Sequence, residues 1–290
     1  MRSKDKYPVP MKPIDAQEWL PSWRESYHHD KLEVWKQPAE IDESNIGYIC
    51  SYSNRRHRTI ELLLAHCPAP ARVLDLAAAQ GNFTIALAGL GYQVTWNDLR
   101  SELIDYVRMK LPAGAEVEFL AGNIFELSER TVDIYDAVLA LEVIEHVAHP
   151  DEFIRQLAGL VRPGGVIVLS TPNGGYFKND LPRFSDCPDP SVFESMQFKP
   201  NSDGHIFLLY EDEIRCFAER AGLKVNRLDL ITNSLTAGHI KLRHALNLLP
   251  DGAVSLLEYL TQSLPHTVRN RLSSHIVTVL TKPSLTASSI

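Results

Sequence analysis

Between residues 71 and 173, short apolar runs alternate with amphipathic ones at near-constant spacing, and this narrows the possible folds more than any other feature. The runs ARVLDLA (71–77), YQVTWND (92–98), AEVEFLAGN (115–123), YDAVLALEV (135–143) and GGVIVLSTPN (164–173) read as strands. Between them, GNFTIALAGLG (81–91), SELIDYVRMK (101–110) and PDEFIRQLAGLV (150–161) have helical spacing. Gly91 stops the first helix and Pro150 opens the last. Strands separated by a helix cannot pair as hairpins, so the chain is committed to βαβ units. The expectation is an α/β, doubly wound, mostly parallel twisted sheet with helices on both faces.

The flanks are less regular. Residues 1–45 are rich in Pro, Lys, Trp and Tyr without a clean period, and Trp19, Trp23, Tyr27 and Trp35 need a place to bury. RRHRTIELLLAH (55–66) reads as a helix, so an arm or lid over 1–54 precedes a domain over 55–282. Residues 174–204 form a long segment carrying Phe177, Phe184, Phe193 and Phe198, a length typical of lids and substrate loops. YEDEIRCFAERAG (210–222) reads as a helix and LKVNRLDLI (223–231) as a strand. A leucine-rich helical insertion over 235–273 follows, broken near LPDG and Pro265; HIVTVLTKP (275–283) closes the sheet, and 283–290 reads as a disordered tail.

The formal charge of −7 disfavours a general nucleic-acid binder, because phosphates need a basic surface. The one basic run, NRRHR (54–58), reads as a solvated helix face before it reads as a phosphate patch. Cys50, Cys67, Cys187 and Cys216 stand far apart, which suits reduced thiols better than a disulfide frame or a zinc knuckle. The opening run has no apolar h-region and no stretch approaches a bilayer span, so the expectation is a soluble cytoplasmic protein. Peripheral membrane contact through the leucine-rich insertion is open, and oligomeric state is not legible.

The stretch VLDLAAAQGN (73–82) sits where an open α/β sheet binds ligands, at the carboxyl end of its first strand. Small residues there let a ligand approach the backbone. Alanine nearly matches glycine in size but resists positive φ, at roughly 1–2 kcal/mol. Ala77 and Ala79 are therefore tolerable if φ stays negative there, while Gly81 keeps the left-handed freedom at the turn. Asp98, 23 residues after Asp75, ends the second strand; its carboxylate suits the two vicinal hydroxyls of a ribose. Asn123 ends the third strand, where its side-chain oxygen suits an adenine amine.

With VTWNDLR, FLAGNIFEL, YDAVLALEVIEHV and LVRPGGVIVLSTPN, these motifs resemble, in order, those of class I S-adenosylmethionine-dependent methyltransferases. The resemblance is close over 71–173 and looser over 205–282. The family pattern D/E-x-G-x-G-x-G stands here as Asp75-Leu76-Ala77-Ala78-Ala79-Gln80-Gly81, with two glycines replaced. The resemblance implies a seven-stranded Rossmann-like methyltransferase sheet and S-adenosyl-L-methionine as cofactor. It implies that Asp75 and the Ala77–Gly81 turn, Gln80 included, cradle the methionine portion. Asp98 with Leu99 would hold the ribose, Asn123 and Ile124 would meet the adenine, and Leu141 would flank the sulfonium.

A second group follows the fourth strand. EVIEHVAHP places Glu142, Glu145 and His146 at i, i+3 and i+4, one face if the segment is helical, and His205 follows the long loop in DGHIF. Two carboxylates and two imidazoles suit a divalent ion, Mg²⁺, Mn²⁺ or Zn²⁺. The arrangement resembles the metal site of small-RNA 3′-terminal 2′-O-methyltransferases and the equivalent positions of ubiquinone-pathway O-methyltransferases. The same residues also suit a plain pocket wall, with Glu145 capping and His146 a satisfied core histidine. Without metal, His146 or His205 would serve as general base, with His149 a poorer substitute.

The function these readings favour is O-methylation of a hydroxyl on a small metabolite, a quinol- or catechol-like compound or a glycan. RNA 3′-end 2′-O-methylation, N-methylation and a non-catalytic scaffold remain as alternatives.

Overall fold

The computed structural model describes residues 6–9, 19–41, 45–126, 134–197, 204–234 and 251–284. Seven strands lie in one sheet in the order β3-β2-β1-β4-β5-β7-β6. In chain order they are β1 (Arg72–Leu76), β2 (Gln93–Asp98), β3 (Val117–Ala121), β4 (Tyr135–Leu141), β5 (Val161–Pro172), β6 (Lys224–Asn233) and β7 (Ser273–Thr281). The helices are α1 (Pro21–Glu33), α2 (Ile46–His66), α3 (Asn82–Gly89), α4 (Leu103–Lys110), α5 (Pro150–Leu160), α6 (Glu211–Arg220), α7 (Asp251–Gln262) and α8 (His266–Leu272). β1 to β5 pair in parallel, and only β7 runs antiparallel, between β5 and β6. Chain order reverses between β1 and β4, which opens the crevice that such sheets use for ligands.

Strand alternation explains the two cores. Leu74 and Leu76 of β1 join Val138 and Ala140 of β4 on one face, where Phe153, Leu157, Ile214 and Phe217 of α5 and α6 cover them. Val73, Ala137, Leu139, Val168 and Val277 line the other face under Leu62, Leu63 and Leu87 of α2 and α3. β4 carries four consecutive fully buried residues, Ala137–Ala140, as a strand covered on both sides requires.

Several expectations change at the flanks. α2 begins at Ile46, so the boundary drawn at 54/55 falls inside a helix. The run 54–58 is not a solvated face. Arg56 is 1% exposed and donates to the Tyr7 carbonyl, Arg55 pairs with Glu142 at 3.1 Å, and Arg58 pairs with Asp229 at 2.6 Å. The arm's aromatics pack edge-to-face as Trp19, Trp23 and Tyr27, with Tyr106 of α4 as their anchor and Trp35 beyond Tyr27. In the long loop, Phe184 and Phe193 pack on Phe207 of the core, each with rings 5.3 Å apart. Phe198, most of the tail and residues 235–250 of the insertion lie outside the described residues.

Candidate active site

The turn after β1 departs from the expectation in one informative way. Ala77 and Ala79 take positive φ, 53° and 46°, as does Gly81 at 72°. Left-handed alanine is tolerated only where neighbours over-determine the backbone, and here they do. The Ala78 amide donates to the Asn97 carbonyl at 2.9 Å and the Ala79 amide to Asp98 Oδ2 at 2.9 Å. The Ala79 carbonyl accepts from Trp96 Nε1 at 3.1 Å, and the Gln80 carbonyl accepts from Lys110 Nζ at 2.7 Å. Gly81 is required for space as well: a Cβ there would lie 2.8 Å from Val107 Cγ1.

Behind the turn lies a buried network that the sequence did not reveal. Lys110 and Asp30, both fully buried, pair at 2.6 Å. Asp30 also accepts from Tyr106 Oη at 2.6 Å and Asn82 Nδ2 at 2.8 Å, and Asn82 Oδ1 accepts from Lys110 at 2.8 Å. One turn of helix further, Glu33 accepts from Gln80 Nε2 at 2.8 Å, from Asn82 at 3.2 Å and from Tyr48 Oη. Asp30 and Glu33 belong to α1, so the arm is riveted to the turn after β1. The sequence offers only a lysine in the last turn of a helix, which on its own reads as solvated.

Asp75 is 2% exposed and accepts from Thr84 Oγ1 at 2.6 Å, so its side chain braces the start of α3. Burial pushes its carboxyl up to about 6, against the opposing hydrogen bonds from Thr84. Asp98 stands at the tip of β2, and Leu99 beside it is 56% exposed. Asn123 Oδ1 accepts from the Phe125 amide at 3.1 Å and its amide donates to Glu126 at 3.0 Å, closing a local turn. Ile124 packs into the core at 2% exposure, and Leu141 is half-buried at the end of β4.

After β4 the expected helical face is absent. Only Ile144–His146 forms a single 3₁₀ turn, and Glu142 has φ 55° outside it. The Glu142 amide still bonds the Ser170 carbonyl of β5, so the residue belongs to the strand edge and its side chain turns elsewhere. Its carboxylate meets Ser170 Oγ at 2.8 Å, Arg55 at 3.1 Å and His275 Nε2 at 3.4 Å. Burial would raise that carboxyl, but Arg55 first and His275 next hold it down to about 2.

Glu145, His146 and His205 do converge. One ligand atom from each lies within 4.8 Å of the others, and the two imidazole rings are 4.9 Å apart. The Ile206 amide donates to the Glu145 carbonyl at 2.7 Å, which is how a residue 60 positions away is brought alongside. Glu145 is fully buried. Its Oε2 accepts from Thr171 Oγ1 at 3.1 Å, whereas Oε1 has no hydrogen-bond partner among the described residues. Burial, then the charge of Glu142, raises this carboxyl well above the ordinary range. His149 is taken up by Glu194 at 3.0 Å.

The profile of a family described as a methyltransferase domain matches residues 48–228. The ubiquinone biosynthesis O-methyltransferase of Xanthomonas axonopodis pv. citri (strain 306) is 39% identical over 107 residues, 37% of this chain and 45% of that protein. Its counterpart in Xanthomonas euvesicatoria pv. vesicatoria (strain 85-10) is 38% identical over 106 residues, 36% and 44% of the two chains. The matched stretch thus spans less than half the length of these curated relatives. A SAM-dependent methyltransferase from Archaeoglobus fulgidus superposes with a TM-score of 0.51 at 12% identity, covering 78% of this chain and 92% of that one. Phosphoethanolamine N-methyltransferase 2 of Haemonchus contortus gives 0.52 at 16% identity, covering 79% and 53%. At such identities the likeness concerns the fold alone.

Proposed function

The chain belongs to the methyltransferase-domain family, and from that premise we propose that it transfers a methyl group from S-adenosylmethionine to a hydroxyl of a small acceptor, a quinol- or catechol-like metabolite or a glycan. The bound cofactor supplies an electrophilic sulfonium methyl for in-line displacement. The chain's part is to hold both partners in line and to take the hydroxyl proton. The left-handed turn Ala77–Gly81 fits the cofactor because its side chains are no larger than a methyl where the backbone faces the crevice, Gln80 being tied back to Glu33. Asp98 at the next strand tip would hold the ribose, and Leu141 would border the reacting centre.

The observation that carries the acceptor side is the unpartnered Oε1 of buried Glu145 beside two imidazoles. A buried polar atom without a partner is costly and rare, and it marks a place where a ligand completes the site. One carboxylate and two imidazoles form a donor set that fits Mn²⁺ or Zn²⁺ better than Mg²⁺. Glu145, His146 and His205 would hold such an ion, which supplies Lewis acidity toward a hydroxyl oxygen. Glu142, committed to Arg55 and His275, stays outside this set.

Support for oxygen as the acceptor atom comes from the ubiquinone O-methyltransferase relatives. RNA finds no support, since Arg55, Arg56 and Arg58 are spent on internal partners. The test is turnover of labelled methyl donor against catechols, quinols and glycans, with and without EDTA. Loss of turnover in EDTA, restored by Mn²⁺ or Zn²⁺ in the parent but not in His205→Ala, is the expected result. Full turnover in EDTA would remove the metal, and no turnover on any hydroxyl acceptor would remove O-methylation.

A further inference from the structure

Asp98 accepts four hydrogen bonds through its carboxylate. Oδ1 takes the Arg100 amide at 3.0 Å and Arg100 Nε at 3.0 Å; Oδ2 takes the Ala79 amide at 2.9 Å and Arg100 Nη2 at 3.2 Å. An ionised carboxylate offers about four acceptor sites, so all are filled. A ribose brings two vicinal O–H donors and needs two of those sites. Of the two backbone bonds, that of the Ala79 amide pins the strained turn and that of the Arg100 amide closes the turn after β2, so neither is given up without moving main chain. The other two come from one guanidinium on a side chain 45% exposed to solvent.

We propose that Arg100 is a displaceable internal ligand of the cofactor site: it saturates Asp98 when no cofactor is bound and leaves when a ribose diol arrives, two N–H donors being exchanged for two O–H donors. This rests on the reading of Asp98 as the ribose acid. The exchange leaves the carboxylate fully bonded in both states, so the buried acid at the strand tip is never unpaired. It also makes cofactor affinity the outcome of a competition inside the protein. The charges of Glu25 on α1 and of Glu102 already act on Arg100, so the released guanidinium keeps acidic neighbours. Arg100 thereby sets how tightly the site holds its ligand.

The experiment is calorimetric titration of S-adenosylhomocysteine into the full chain and into Arg100→Ala and Asp98→Ala, at low and raised NaCl. An exposed ion pair is worth little, so Arg100→Ala should bind about two- to fivefold more tightly than the parent at low salt. Salt screens the competing pair, so that advantage should shrink as NaCl rises. Asp98→Ala should bind more weakly than either. Equal or weaker binding by Arg100→Ala, with a parent that binds and an Asp98→Ala that does not, overturns the displacement while leaving the cofactor reading intact. A parent that takes up no S-adenosylhomocysteine, or an Asp98→Ala that binds as the parent does, overturns both.

Discussion

The two halves of the crevice are built on opposite terms. Around the β1 turn every described buried charge has partners: Lys110 donates to Asp30, Gln80 and Asn82, and Asp98 has no acceptor site left. After β4, Glu145 is just as deeply buried, yet its Oε1 accepts no hydrogen bond among the described residues, with His146 Nε2 4.0 Å away, and its carboxyl is raised. The difference separates a part of the crevice whose buried charges are fully bonded from a part where a buried carboxyl oxygen has no hydrogen bond among the described residues. The first half spends interactions to hold a strained backbone in place. The second holds interactions open at a cost in stability.

The sharpest way to break this contrast is to remove one charge from each half. Lys110→Met leaves Asp30 buried without its cation, and such a loss costs about 3–5 kcal/mol. Urea unfolding should show it, together with a weakened hold of α1 on the turn. Glu145→Gln should do the reverse. Replacing a carboxyl that is already disfavoured in its charged form should leave stability unchanged or raise it, whereas turnover falls by roughly 10²-fold or more, because the carboxylate that would hold the ion, and with it the Lewis acidity toward the hydroxyl, is lost. A Glu145→Gln variant as unstable as Lys110→Met would erase the distinction. One with full turnover would make the open oxygen irrelevant to chemistry.

The legibility of the two halves differs for a physical reason. The strands and helices of 71–173 were legible because periodicity is local: β1 (Arg72–Leu76) and α5 (Pro150–Leu160) fall within two residues of where the apolar pattern puts them. Asp98 at a strand tip and the meeting of His146 with His205 were legible from spacing plus motif. Three things were not. The Asp30–Lys110 pair joins positions 80 residues apart, and no local pattern carries such a contact. Glu142 leaves the group because β5 claims its amide, a tertiary bond that overrides the i, i+3, i+4 geometry. Arg55 and Arg56 read as solvated because a charge run usually is; here a half-buried carboxylate and a buried carbonyl lay in wait for them.

Asp75 allows a pH test confined to the assembled half. Its carboxyl ordinarily titrates near 3.8, and burial moves it to about 6 in the folded chain. The folded state therefore binds this proton more tightly than the unfolded one. Its contribution to stability is full below about 4 and is lost as pH rises through about 6. The difference in unfolding free energy between the parent and Asp75→Asn should fall by on the order of 2–3 kcal/mol from pH 4 to pH 7. Charges that do not act on Asp75 cancel in that difference; that of Asp98, which adds to the rise, does not. A flat difference would mean that Thr84 holds the carboxylate in its ionised form throughout, and the brace on α3 would then be an ordinary anionic one.

The smallest effect concerns the two alanines, and it asks whether the strain in the turn is real. At positive φ an alanine costs about 1–2 kcal/mol relative to its right-handed form, and glycine does not. Glycine also gives the unfolded chain more freedom, about 0.4–1 kcal/mol for each replacement. The balance for Ala77→Gly and Ala79→Gly is therefore a gain of about 0.5–1 kcal/mol each, read as a rise in urea midpoint. The pins should survive, because all of them run through backbone atoms: the Ala79 amide to Asp98 and the Ala79 carbonyl from Trp96 need no side chain. If instead both variants lose stability, the turn prefers its methyl groups, and they must pack against something that outweighs φ. Ala78, half-buried against the cluster of Trp96, Leu103 and Val107, shows that the turn's methyls do find apolar neighbours on one side. Ala77 is exposed and neither it nor Ala79 packs into that cluster, so relief of strain should win.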